Sequence, residues 1–130
     1  MSQSIATAAL LVNEYDEAIT FYCDTLGFDL VVDTDLGGGK RWVVVAPPGR
    51  AGAQLLLARA EGPGQSAAVG NQGGGRVMFF LETNNFARDH AAMLERGVGF
   101  LEAPRVESYG SVAVFADLYG NKWDLIQPRS

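Results

Sequence analysis

The chain has 130 residues, of which 48% are hydrophobic and 19% charged, and fifteen Asp or Glu against ten Lys or Arg give a net charge of −5. A chain of this size and composition can bury a core as one domain, which excludes a disordered protein. The acidic balance, without any basic cluster, excludes nucleic acid as the expected partner because such a surface repels phosphates.

The N-terminal segment and the single cysteine indicate where the protein works. The first residues carry no basic start and reach an acid at Glu14, which is not the pattern of a signal peptide. No apolar run approaches the roughly 18 residues needed to span a bilayer. Cys23 is the only cysteine, so an intrachain disulfide cannot form, as is compatible with a reducing compartment. We therefore expect a soluble cytoplasmic protein that does not act on a membrane.

The first half of the chain predicts a strand, a helix and three further strands. Residues 5–12 form a short apolar run typical of a buried strand. Asn13 can cap the helix that follows, and Gly27 can end it in a left-handed conformation. The apolar face of this helix is predicted to contain Ala18, Ile19, Tyr22 and Leu26. The three strands are predicted at residues 28–35, 40–46 and 53–58, the first two joined by a glycine-rich hairpin turn.

Residues 59–75 interrupt this pattern, because six of the seventeen are glycine. One interpretation is a loop that cradles a phosphate or closes over a site. A phosphate loop, however, needs a Lys followed by Ser or Thr at the start of a helix, and a strand pattern follows here instead. The stretch is therefore predicted to be a linker between two halves, at about residues 60–75.

The second half repeats the order of the first. A strand at 76–82 precedes a helix at 83–97, with Thr83 or Asn84 near its cap. Its predicted core residues are Phe86, Met93 and Leu94, and the strands that follow it are predicted at 99–107, 111–118 and 122–127. Gly97 ends this helix 70 residues after Gly27 ends the first one. Such a duplication predicts two related modules whose sheets associate.

Two segments carry a resemblance to a known family, namely "ALLVNEYDEAITFYCDTLGF" and "VAVFADLYGNKWDLIQ". With the two-module order, they resemble the vicinal oxygen chelate superfamily of glyoxalase I, extradiol dioxygenases, fosfomycin-resistance and bleomycin-resistance proteins. The resemblance covers nearly the whole chain. It implies one α+β domain over residues 1–130, in which two tandem βαβββ modules (about 1–60 and 75–130) form a half-open mixed barrel around a cavity, with helices outside. It also implies a homodimer.

The resemblance further implies where a metal would bind. In metal-dependent members, four cavity positions hold the ion, and they fall here at Thr7, Gln54, Arg76 and Asp124. The second pair follows the first by 69 and 70 residues, in agreement with the duplication. Only Asp124 is a usual ligand, whereas a permanently charged Arg76 repels a cation. We therefore expect no metal or other cofactor; the alternative is a divalent metal at an atypical site that includes Asp124.

The residues predicted to bind a ligand, if the family fold holds, are Thr7, Trp42, Gln54, Arg76, Phe80, Tyr109 and Asp124. Arg76 and Asp124 form a structural ion pair in one interpretation. In another, Arg76 holds an anionic or carbonyl ligand while Asp124 and Gln54 orient its polar groups. A register error of one residue would turn all of these side chains outward.

Other residues of chemical interest receive less specific interpretations. Phe115 and Tyr119 are further aromatic candidates for the pocket, and Glu102 and Arg105, at strand ends, are interpreted as solvated. The single histidine, His90, lies in the second helix away from the implied metal positions. No Ser-His-Asp or Cys-His arrangement can therefore be proposed.

Three functions are compatible with this pattern. The first is a metal-independent protein, like the bleomycin-resistance branch, that binds a small organic molecule in the barrel cavity. The second is a glyoxalase-like lyase or isomerase acting on a small carbonyl compound, without metal or with an atypical metal site, in which Asp124 would be the catalytic base. The third is a structural module whose cavity is filled.

Overall fold

The computed structural model describes residues 1–49 and 51–129. The chain divides into two compact units, one over Met1–Val69 and the other from Gly70 onward. Each unit builds its own open sheet, and each sheet begins with a strand that is followed by a helix. The predicted α+β fold of two βαβββ modules is confirmed.

The described residues of unit 1 form four strands and two short helices. In chain order they are β1 (Thr7–Val12), α1 (Tyr15–Ile19), β2 (Asp29–Gly37), β3 (Lys40–Ala46), β4 (Gln54–Arg59) and α2 (Gly62–Ala68). A π-helical stretch over Thr20–Thr25 continues α1. The strand order in the sheet is β1-β4-β3-β2, with β1 parallel to β4 and the other pairs antiparallel.

In unit 2, the residues that the structure describes form five strands and one helix. They are β5 (Val77–Glu82), α3 (Phe86–Glu95), β6 (Gly99–Phe100), β7 (Arg105–Glu107), β8 (Gly110–Ala116) and β9 (Lys122–Pro128). The order is β5-β9-β8-β6, and β7 also pairs with β8. Because β5 is parallel to β9, the arrangement repeats that of β1 and β4 in unit 1. No helix in the described part of the chain is long and apolar enough to cross a membrane.

Two predicted segments differ from the structure. The stretch predicted to be a linker contains α2, which has Pro63 in its first turn, where a missing N–H costs little. The strand predicted at 99–107 divides into β6 and β7, with residues 101–104 between them. There the Glu102 carboxylate accepts the N–H of Val114 at 3.1 Å, so a side chain replaces the neighbouring strand as hydrogen-bond partner.

The ends of the helices also differ from the predictions. The helix α1 begins after Glu14, which makes no side-chain cap, and not after Asn13. The cap of α3 is Asn85, whose side chain accepts the N–H of Arg88 at 3.1 Å. Leu94 was predicted to be a core residue, but it is 50% exposed. Its neighbour Met93 is buried, and consecutive residues of a helix point in different directions, so Leu94 faces away from the sheet.

The core of unit 1 lies between its sheet and the helical segment. On α1 and the π-helical stretch, Ala18, Tyr22 and Leu26 are buried as predicted, and Ile19 is half-buried. The strand residues that are fully buried with them are Leu10, Val12, Val43, Val45 and Leu57. Burial of each such aliphatic side chain contributes about 1.5–3 kcal/mol.

The core of unit 2 contains a cluster of aromatic rings. The ring of Trp123 lies 4.6 Å from that of Phe79 and 5.7 Å from that of Phe115, measured between centroids. The ring of His90 packs between Phe86, at 5.6 Å, and Phe100, at 4.5 Å. His90 is therefore part of the helix-to-sheet packing in this unit.

A glycine fixes the turn that precedes β9. Gly70 has φ of +78°, and a Cβ at this position would lie 2.0 Å from the carbonyl oxygen of Tyr119. The turn is also held from within, because Asp117 accepts the N–H groups of Tyr119 and Asn121, at 3.0 and 2.9 Å. Only glycine fits against this carbonyl, since any larger residue displaces the turn.

We expect Gly70→Ala to lower the free energy of unfolding by about 3 kcal/mol, because strain at positive φ adds to a steric clash. Gly74→Ala is the matched control. Gly74 has φ of +66° and no atom within 4 Å of the added Cβ, so it should lose only about 1 kcal/mol. Urea denaturation followed by circular dichroism measures both values. Equal losses would show that the contact with Tyr119 is unimportant.

Candidate functional site

The side chains of β3 show which face of the unit 1 sheet is open. The Arg41 side chain lies on the helix side, where its guanidinium contacts Asp16 and Asp33, each at 2.8 Å. Its backbone N–H also donates to the hydroxyl of Tyr15, at the start of α1, at 3.1 Å. Because side chains alternate along a strand, Trp42 points to the opposite face, where it is 46% exposed.

Two more predicted residues share this face. Thr7 and Gln54 are direct partners in the parallel pair of β1 and β4. Val44 pairs with Leu56, which places Gln54, two residues before Leu56, on the same side as Trp42. An open groove of about 370 Å³, lined by residues 4–7 and 51–54, lies beside Thr7 and Gln54. Unit 1 thus brings Thr7, Trp42 and Gln54 to one face of its sheet.

In unit 2, the side chain of Asp124 occupies the middle of an apolar row. Asp124 pairs with Phe80 on β5 and with Val114 on β8, so the three side chains stand side by side on one face. Phe80 is 65% exposed. Phe115, which is one residue further along β8, lies on the opposite face and is fully buried. Phe115 is therefore a core residue and not part of a pocket.

The Asp124 carboxylate has an unusual environment for an acid. Its Oδ1 atom is buried and has no hydrogen-bond partner within residues 1–49 and 51–129. Burial raises the pKa of Asp124, Glu102 acts in the same direction, and Arg105 opposes them. Removal from water disfavours the charged form, and the negative charge of Glu102 adds to that effect. The Asp124 carboxylate is therefore held at a cost in free energy, because the described protein atoms supply no donor to its buried oxygen.

Arg105 is held by a cluster of acids on the same unit. Its Nε lies 3.1 and 3.0 Å from the two carboxylate oxygens of Glu102, and its Nη1 lies 3.0 Å from Glu107. These bonds, with another to Tyr109, raise the pKa of Arg105 above its usual value. Tyr109, a predicted ligand-binding residue, is 52% exposed. Glu102 and Arg105 are therefore not independently solvated strand ends, as the sequence suggested.

One interpretation of the sequence was an ion pair between Arg76 and Asp124. The described residues do not form this pair. Arg76 is exposed before the start of β5, and the ion pairs of this region do not join it to Asp124. The reason is a bulge in β5, where Val77 pairs with Lys122 but Phe79 pairs with Trp123. The extra residue reverses the alternation of side chains between the two faces of the sheet. Phe80, which follows the bulge, therefore lies on the face of Asp124, whereas Arg76, which precedes the bulge, does not.

The residues at the implied metal positions do not fit a metal ion. Thr7 and Gln54 offer neutral oxygens, and Arg76 offers no acceptor. Asp124 is the one carboxylate of the set, and the positive charge of Arg105 acts on it. Across the described ranges, no group of three or more His, Cys, Asp or Glu side chains is placed to hold a metal. Divalent ions in such sites need several anionic or imidazole ligands.

The sequence interpretation missed the cluster of Glu102, Arg105 and Glu107. A signal was present, since two acids flank one arginine at spacings of three and two residues. That spacing can place charges together on an extended strand, but it also occurs commonly on solvated surfaces. Only the interruption between β6 and β7 turns Glu102 inward to Val114 and lets it hold Arg105 as well.

Comparisons with known proteins agree with this architecture. Residues 4–125 match the Glyoxalase/Bleomycin resistance protein/Dioxygenase superfamily. An uncharacterized protein of Shewanella frigidimarina is 56% identical over 128 residues, which cover 98% of this chain and 95% of that protein. The crystal structure of UcmS2 has a TM-score of 0.83 and 25% identity, covering 97% of this chain and 98% of that one. TnmS3, an antibiotic binding protein from Streptomyces sp. CB03234, has a TM-score of 0.79 and 32% identity, covering 99% and 98%.

We expect Asp124→Asn to raise the melting temperature at pH 7 by about 3 °C, because it removes a desolvated charge worth about 1 kcal/mol. The folded pKa of Asp124 is raised, so the wild type gains stability from this group below its unfolded pKa and loses it as the pH rises. The advantage of the variant should therefore disappear near about pH 4. Differential scanning calorimetry at several pH values measures the difference.

Glu82→Gln is the control for this experiment, because Glu82 is an exposed carboxylate at the end of the neighbouring strand. We expect its melting temperature to stay within about 1 °C of the wild type, as is usual for a surface position. A lower melting temperature for Asp124→Asn at pH 7 would mean that the carboxylate is stabilising, in conflict with its orphaned oxygen.

Proposed function

The chain belongs to the glyoxalase/bleomycin resistance protein/dioxygenase superfamily, and we propose that it is a metal-independent protein that binds a small organic molecule. The similarity to TnmS3, which is described as an antibiotic binding protein, supports this proposal at 32% identity over nearly the whole chain. The superfamily scaffold alone does not decide between binding and catalysis, because one fold hosts many chemistries. The proposal therefore depends on the side chains of the two sheet faces.

The observation that carries the proposal is an exposed aromatic ring beside polar groups on the open face of each sheet. In unit 1 the ring is Trp42, with Thr7 and Gln54 on the same face. In unit 2 it is Phe80, whose direct partner is Asp124. Apolar walls with a few polar groups are the usual composition of sites for small organic ligands. Covering one such ring contributes about 1.5–3 kcal/mol.

The chemistry of the side chains at the implied ligand positions supports metal independence. One carboxylate, two neutral side chains and one arginine cannot provide the ligand set that glyoxalase-type chemistry needs. The same positions suit an organic ligand better, since Thr7 and Gln54 can both donate and accept hydrogen bonds.

A neutral fluorescent probe, N-phenyl-1-naphthylamine, tests the binding function. We expect it to bind the purified protein equally before and after dialysis against a chelator, because no metal takes part. Trp42→Ala should weaken binding at the face of unit 1, and Phe80→Ala should weaken binding at the face of unit 2, each by about fivefold or more, as expected for losing much of an aromatic contact. Fluorescence titration gives the dissociation constants.

Leu94→Ala is the matched control, since Leu94 is 50% exposed but lies on α3, away from both open faces. Its affinity for the probe should equal that of the wild type. Binding that depends on added metal would contradict metal independence, and equal affinity in all three variants would contradict the assignment of the site.

A second candidate is a lyase or isomerase that acts on a small carbonyl compound. The specific observation in its favour is the raised pKa of Asp124, since burial makes a carboxylate a stronger base. In that case the protein should consume a small dicarbonyl compound, followed by its absorbance, and Asp124→Asn should abolish the reaction. Binding without turnover leaves the first candidate.

The family resemblance extends the proposal to a homodimer that works in the cytoplasm. Sedimentation velocity at micromolar concentration should give a mass of twice 13.9 kDa. A species of 13.9 kDa at these concentrations would contradict the dimer, while the binding experiments above would remain valid for each chain.

A further inference from the structure

We infer that the ligand of unit 1 is an uncharged, flat and elongated molecule, which lies along the open sheet face between the ring of Trp42 and the polar pair of Thr7 and Gln54. This inference rests on the proposed function and narrows it to a class of compound. Three features of the face lead to it: an apolar middle row, a hydrogen-bonding pair without protein partners, and the spacing between that pair and the ring.

The middle of this face is apolar from one edge of the sheet to the other. Direct strand pairing sets its row, which runs through Ala9, Leu56, Val44 and Val32. Leu56 and Val32 are half-buried and Ala9 is exposed, so a ligand can reach much of this surface. The ring of Trp42, 46% exposed, extends the apolar surface towards the hairpin turn. Covering the row removes it from water, which favours a molecule with an extended apolar body.

Among the residues that the structure describes, those in register with this face carry charge at its two ends. Asp29 pairs with Ala46 at one end, and Lys40 pairs with Gly37 at the hairpin turn at the other. The two charges are opposite, so they give the face no net sign. The ion pairs of Arg41 lie on the other side of the sheet. An ionic ligand would lose its hydration over the apolar row without a counter-ion beside it, whereas an uncharged ligand loses far less.

Thr7 and Gln54 form the polar end of the face. They are direct partners on β1 and β4, and neither side chain makes a hydrogen bond within residues 1–49 and 51–129. Thr7 is exposed and Gln54 is half-buried, so a ligand can reach both. A hydroxyl and an amide each donate and accept, which suits a carbonyl or hydroxyl group of an uncharged ligand. The open groove of about 370 Å³ beside them gives that end of the ligand room.

The spacing between the ring and the polar pair sets the length of the ligand. Val45 pairs with Leu55 in antiparallel strands, so Gln54 falls opposite Ala46. Ala46 and Trp42 are four residues apart on β3, and four residues of a strand extend about 13 Å. A flat molecule of several fused rings spans most of this distance, whereas a molecule with a single ring contacts one end only.

Nile red and Nile blue test the inference, because they share a flat benzophenoxazine skeleton and differ in charge. Nile red is uncharged and has a carbonyl oxygen, Nile blue is a cation, and resorufin is a related anion. We expect the wild type to bind Nile red at least about tenfold more tightly than either charged dye, because desolvation opposes the binding of an ion. Fluorescence titration gives the dissociation constants, and binding that Trp42→Ala weakens is assigned to this face.

Gln54→Leu separates binding at the polar pair from adsorption to an apolar surface. The variant makes the face more apolar, so adsorption would become tighter, whereas a ligand that is hydrogen-bonded to the amide loses that bond. We expect Nile red to bind about threefold to tenfold more weakly, the effect of one hydrogen bond. Thr7→Val keeps the shape of the side chain and should weaken Nile red by about threefold or more. It decides the matter if Gln54→Leu fails to fold, as judged by circular dichroism.

Thr20→Val is the matched control for Thr7→Val. Thr20 is exposed on the π-helical stretch that continues α1, away from the open face. Its variant should bind Nile red within about twofold of the wild type. Equal weakening in the two threonine variants would overturn the role given to the Thr7 hydroxyl.

The outcomes separate this inference from the proposed function. If Nile blue or resorufin binds as tightly as Nile red, the ligand class is wrong, and a loss of that binding in Trp42→Ala would still support the proposed function. Unchanged or tighter binding of Nile red in Gln54→Leu would also overturn the inference, because the dye would then need only an apolar surface. No detectable binding of any of the three dyes would overturn both.

Discussion

The strand β9 determines the chemistry of unit 2, because it is hydrogen-bonded on both sides and cannot shift its register. Its partners are β5 and β8, and its residues Trp123 and Leu125 are buried in the core between sheet and helix. The residue between them must point to the opposite face. Burying two large apolar side chains contributes about 3–6 kcal/mol, which exceeds the roughly 1–3 kcal/mol cost of an acceptor without a donor. The core thus holds Asp124 in an environment that a free carboxylate would avoid.

This arrangement costs stability. A carboxylate oxygen that is desolvated and lacks a donor lowers the stability of the protein. The neighbouring cation does not remove that cost, because Arg105 is bonded to Glu102 and Glu107 and lies 41% exposed. Arg105 therefore acts to lower the pKa of Asp124 but does not donate a hydrogen bond to its buried Oδ1.

The two units use the same strand arrangement for different local chemistry. In unit 1, the position that corresponds to Asp124 is Gln54, which is neutral and lies beside an open groove with Thr7. In unit 2, the corresponding strand carries the acid, and its parallel neighbour contributes Phe80. A duplicated scaffold therefore presents one neutral polar face with the exposed ring of Trp42 and one face with an acid beside the exposed ring of Phe80. We propose that such a pair binds an organic ligand and not a metal, whose ligands would need to be anionic or imidazole groups.

Period-two alternation explains both the successes and the errors of the sequence predictions. Thr7, Trp42 and Gln54 share a face because their strands pair without interruption at these residues, so counting by two is sufficient. Counting by two fails for Arg76, because the bulge between Val77 and Phe79 inserts one residue. No residue type in that stretch marks the bulge, since valine, methionine and phenylalanine all suit regular strands.

The sequence by itself determined the two-module order and the family, because these depend on residue types and their spacing along the chain. Only the tertiary structure decided that Arg105, and not Arg76, is the cation near Asp124. Charge interactions depend on distance in space, and here that distance is set by a bulge in β5 and by a carboxylate that replaces a strand beside β8. Both are local departures from regular pairing that arise when segments far apart in the chain meet.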